Sequence, residues 1–147
     1  MRILFPSAVL ALLLASPGIA SAQSASKCPD LPANSGLAWQ EIQSDTLLFC
    51  RAVRSDGSDA FALTFTRKPT FEPDRRNTAD VSTFDGQSLQ WYRSTLAGNP
   101  DLKVREALVR LNDGTTLQMV VRSDDDAGLQ RAFGEISALK ISAVAIR

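Results

Sequence analysis

The chain of 147 residues contains no histidine, which removes the commonest general base and the commonest metal ligand together. It has no Gly-x-Ser-x-Gly elbow, no glycine-rich phosphate loop and no dinucleotide fingerprint, so the familiar signatures of hydrolase, nucleotide and hydride chemistry are missing. Neither sign of charge is in excess: 16 Lys and Arg balance 16 Asp and Glu. Such a balance supplies no electrostatic reason for nucleic acid or an anionic membrane as partner. Cysteine is scarce too, with Cys28 and Cys50 alone and no Cys-x-x-Cys spacing that would mark a redox centre. No cofactor and no metal are expected.

What is present first is an export signal. Met1-Arg2 gives a short positive start, Ile3 to Ala15 is apolar, Pro17-Gly18 breaks the run, and Ala20-Ser21-Ala22 supplies a small-x-small cleavage site. The apolar run is shorter than the roughly 20 residues of a membrane span. Lys27 ahead of Cys28 argues against a lipid-anchored cysteine. Residues 1–22 therefore read as a signal peptide and residues 23–147 as one exported domain, periplasmic or secreted, without membrane insertion after cleavage. Two cysteines in that compartment are expected to pair, Cys28 with Cys50, stapling an extended Pro-rich lead-in (23–38) onto the body.

Residues 39–122 read as strands. Leu47 to Val53 is apolar at nearly every position, as in a strand covered on both faces, and Phe61, Leu63 and Phe65 alternate with Ala62, Thr64 and Thr66. Trp39 to Ile42 precedes them as a short strand. Asp-Gly pairs at 56–57, 85–86 and 113–114 mark three hairpins. In the second, Leu89 and Trp91 face inward and Tyr92 outward; in the third, Ala107, Val109 and Leu111 oppose Leu117, Met119 and Val121. Residues 123–140 read as a helix, with Leu129, Ala132, Phe133, Ile136 and Leu139 on one face and Ser123 to Asp126 as an acidic capping box. The tail, 141–147, fits a closing strand or a helical extension. The fold expected is α+β, a mostly antiparallel sheet of about six strands with one C-terminal amphipathic helix on one face; a small β-barrel with a terminal helix is the alternative.

Functional groups are few. Twelve of the acids are aspartates, mostly at turns or the helix start, and the register of Asp124-Asp125-Asp126 does not fit a calcium loop. Glu41 and Glu106 sit within predicted strands and are the only pair for carboxylate-dependent hydrolysis. The stronger candidate is the irregular stretch from Arg67 to Asp80. There Arg67, Lys68, Arg75 and Arg76 offer positive charge and Phe71 an apolar contact. Tyr92 and Arg93 extend the candidate surface, since exposed tyrosine and arginine are enriched at interfaces. The function expected is a non-catalytic binding or interaction module of the cell envelope, taking another envelope protein or a small ligand. A periplasmic inhibitor or immunity protein is one form of that reading, and a carboxylate hydrolase the competing class.

Overall fold

The computed structural model describes residues 27–141. The expected signal peptide and the tail from 142 onward lie outside the described residues. The first meander is β1 (Leu37–Gln43), β2 (Leu47–Arg54) and β3 (Asp59–Thr66). The second is β4 (Thr78–Phe84), β5 (Gln87–Leu96), β6 (Asn99–Arg110) and β7 (Thr116–Ser123), followed by α1 (Asp126–Ser137). The meanders join through β3 and β7, giving one seven-stranded antiparallel sheet in the order β1-β2-β3-β7-β6-β5-β4. The α+β expectation holds; the barrel does not form, because β1 and β4 remain the two edges of an open sheet.

The turns explain the meanders. Asp85 (φ 48°) and Gly86 (φ 78°) both occupy the left-handed region, as a two-residue hairpin turn requires. Between β5 and β6 the reversal falls at Ala97-Gly98, and Asn99 and Pro100 open β6. β4 begins at Thr78, and a bulge between Thr78 and Val81 accommodates Ala79 and Asp80 while the ladder to β5 continues.

Alternation then sorts the side chains. Leu48, Cys50, Ala52, Phe61, Leu63, Phe65, Leu117, Met119, Val121, Ala107, Val109, Leu89, Trp91 and Phe84 are buried as one core with Leu129, Ala132, Phe133 and Ile136 of α1. Trp91 stacks on Phe133 with ring centroids 4.7 Å apart and donates its indole N–H to Ser82 Oγ at 2.8 Å. One helix packs against β4 at the edge and against β7 and β3 at the centre. The helix thus reaches from β4 to β3, four strand spacings of about 4.8 Å apart. The helix cap differs in detail from the expected box: Asp125 is the N-cap, accepting from Gly128 N–H at 2.7 Å, while Ser123 Oγ accepts from Asp125 N–H.

The disulfide is formed, Cys28 to Cys50, with Cα atoms 5.8 Å apart. It docks the lead-in on the helix-facing side of β1 and β2. There the Trp39 indole N–H donates to the Pro29 carbonyl at 2.7 Å, and the Cys28 N–H donates to Glu41 Oε2 at 3.2 Å. Trp39 also meets Phe61 edge-on. The other side of β2 is not closed in the same way: Phe49, Arg51 and Val53 are half-buried and Leu47 is exposed. Cover on both faces was the expectation for this strand, and among the described residues only one face receives it.

Candidate functional site

The connection from β3 to β4 determines where a site can be. It leaves Thr66 at what we term the lower end of the sheet and enters β4 at Thr78, level with Tyr92, Glu106 and Val120. Thr66 is level with Thr116, so the crossover climbs ~13 Å along the strands while moving four strands sideways. It runs over the face opposite the helix. Thr70 Oγ1 donates to Gln118 Oε1 at 3.3 Å, and the Phe71 ring meets Tyr92 at 5.9 Å. Phe71 thus anchors the crossover on the outer face of β5 and takes no part in the helix-side core.

At the lower end, the β1–β2 turn and the exit of β3 lie side by side and enclose a cleft of about 510 Å³. Gln43 to Leu48 form one wall and Phe65 to Lys68 the other, with Thr115 from the β6–β7 turn beyond β3. The Thr66 hydroxyl holds the walls together: it donates to the Thr46 carbonyl at 3.3 Å and accepts the Lys68 N–H at 3.1 Å. Ser44 Oγ accepts from Thr46 N–H and Leu47 N–H, which fixes the turn. Its apolar lining is Leu47, together with the edges of Leu48 and Phe65. At the rim stand Arg67 and Lys68, both exposed, and no ion pair holds either cation among the described residues. Arg67 leans over the β6–β7 turn, its Nη1 only 3.8 Å from where a side chain on Gly114 would begin. Asp45, on the opposite wall, is likewise exposed and without a cationic partner among the described residues.

The structure therefore divides the predicted site residues. Arg67 and Lys68 reach the lower cleft, whereas Arg75 and Arg76 form a single 3₁₀ turn at the other end of the crossover. Arg76 is engaged by Asp74, with Nη2 2.7 Å from Oδ2. The Arg76 side chain and its N–H hold the Asp74 carboxyl below its usual range, and Asp74 raises the guanidinium in return. Phe71 and Tyr92 are brought together. Arg93 is parted from Tyr92, since it pairs with Arg105 and so points to the helix side.

The two strand glutamates are also separated. Glu41 lies on β1 facing the lead-in, while Glu106 lies on β6 facing the crossover, where Gln118 Nε2 donates to it at 3.4 Å. Four strand spacings and opposite faces keep them from acting on one bond. Among the described residues no three His, Cys, Asp or Glu side chains cluster as metal ligands. Asp126, at the start of α1, is held below the usual carboxylate range by its hydrogen bond from Lys103 and then by the charge of Lys103. Asp56 is lowered by the Ser58 hydroxyl in the β2–β3 turn.

No family model, curated protein or solved structure matches the chain. Leu47, Leu48, Phe65 and Asp45 are among the cleft residues that the sequence does not single out. Their signal is weak, because an apolar residue at the end of a strand looks the same whether it ends in solvent, in a core or at the floor of a cleft.

Proposed function

We propose that the chain is a non-catalytic binding module of the cell envelope whose ligand is a small molecule held in the lower cleft. The observation that carries this reading is an apolar lining of Leu47, Leu48 and Phe65 beside two cations that no carboxylate claims among the described residues. Small-molecule sites have this character: concave, mostly apolar, several hundred Å³ in volume, with a few polar groups at fixed positions. A cystine survives in an oxidising compartment, in keeping with the periplasm or the medium. Among the described residues no helix is long and apolar enough to cross a membrane. The separation of Glu41 from Glu106 favours binding over hydrolysis.

Native mass spectrometry of protein purified from its own compartment, without denaturation, tests the reading. The expected spectrum shows a small-molecule adduct that is lost in Leu47→Trp, a substitution that fills the cleft from a position already 37% exposed. A stoichiometric protein partner that survives Leu47→Trp would overturn it in favour of an inhibitor-like role. Cell-wall hydrolysis abolished by Glu106→Gln at unchanged thermal stability would overturn it in favour of an enzyme.

A further inference from the structure

We infer that the cleft takes an organic anion with a compact apolar body, its carboxylate or sulfonate between Arg67 and Lys68 and its body against Leu47 and the edges of Leu48 and Phe65. This rests on the cleft being the binding site. The volume of about 510 Å³ lies in the range of small-ligand sites. Leu48 and Phe65 are 3% and 4% exposed and present only their rims, so the body needs to be compact, with Leu47 as the principal contact. Arg67 and Lys68 follow each other at the head of the crossover, and Lys68 is positioned through its N–H on Thr66 Oγ1. A neutral ligand would leave both charges unused. A cation would meet two positive groups against one negative. Asp45 on the far wall repels an anion, which places the head group on the β3 side of the cleft.

Anilinonaphthalene sulfonate and its neutral analogue N-phenylnaphthylamine share one apolar body and differ in the sulfonate, so titrating both against the mature, oxidised protein isolates the charge. The sulfonate is expected to shift the NMR resonances of Leu47, Phe65 and Lys68 and to bind about tenfold more tightly than the neutral compound. Charge-assisted contacts at an exposed rim contribute about threefold each, so Arg67→Gln with Lys68→Gln should bring the two compounds together. Arg75→Gln, at the far end of the crossover, should change nothing, and Asp45→Asn should tighten the sulfonate. Equal affinities with shifts in the cleft would overturn the anion and leave the cleft standing. Tighter binding of a zwitterion such as tryptophan, lost in Asp45→Asn, would overturn it in favour of an amino acid. No shift in the cleft with any probe would remove the site and this inference together.

Discussion

Reducing the Cys28–Cys50 bond in the folded protein should lower its stability by about 3 kcal/mol. The bond closes a separation of 22 residues, and the loop-entropy relation returns that figure for a chain freed on reduction. For a domain whose total stability falls in the usual range of about 5–15 kcal/mol, the loss is a large fraction and corresponds to about 10 °C in Tm. The native side of the balance points the same way. Without the bond, the stretch from Cys28 to Gly36 is held by the Trp39 and Glu41 hydrogen bonds and by the packing of Leu31. Each such hydrogen bond contributes about 1 kcal/mol, whereas ordering each backbone residue costs about as much or more. The lead-in should therefore fray first.

Urea unfolding with and without reductant, followed by tryptophan fluorescence, measures the change, and amide exchange locates it. The midpoint should fall, and m should rise because the reduced unfolded chain exposes more surface than the cross-linked one. Amides of residues 28–36 should lose protection while those of β3 and β7 keep theirs. A loss below about 1 kcal/mol, with the lead-in still protected, would show that the staple does not order this segment and would refute the entropic account.

Glu135→Ala should cost about 2–3 kcal/mol in urea unfolding, because it removes the carboxylate 2.8 Å from Arg54 Nη2 and leaves a part-buried guanidinium whose Nε lacks a partner and whose Nη1 holds only the Asp59 carbonyl. Gly134→Ala should stabilise the helix by ~0.5–1 kcal/mol, as nothing lies within 4 Å of the new methyl, whereas Gly128→Ala should destabilise, its methyl meeting Ser123 Oγ at 2.0 Å. Lys103→Ala should raise the Asp126 titration midpoint toward its ordinary value, read by carboxyl NMR. Because the folded midpoint is the depressed one, the stability this pair adds is present above the unfolded midpoint and is lost as pH falls through the folded one.

Each hairpin was legible because its information is local: an Asp-Gly turn, two alternating runs and a length that fits. The pairing of β3 with β7 was not, since residues 63 and 119 meet across fifty-odd positions and no local feature names the partner. The two richest apolar rows, Phe61-Leu63-Phe65 and Leu117-Met119-Val121, do end up at the centre of the sheet, where both neighbours bury them. The apolar run of Leu47 to Val53 misled in the opposite direction. It reads as a strand enclosed on both faces, yet it lies next to the edge, and its polar exception, Arg51, pairs at the surface with Asp59. For the site, Arg67 and Lys68 could be seen as charges heading a long connection. That they stand apart from Arg75 and Arg76 depends on which strand the connection reaches.

Cleft and crossover have one origin. Had β3 been followed by its neighbour β7 through another tight turn, the chain at Thr66 would have doubled back, and Arg67 and Lys68 would have been turn residues. Instead β3 gives way to a strand at the far edge of the sheet, so the chain leaves the centre at the lower end, beside the β1–β2 turn. A departing segment has to be polar to cross the outer face, which accounts for Arg67 and Lys68 where apolar lining residues end. The same requirement that solvates the connection thus sets two positive charges beside exposed Leu47, and the chemistry of the cleft follows from the order of the strands.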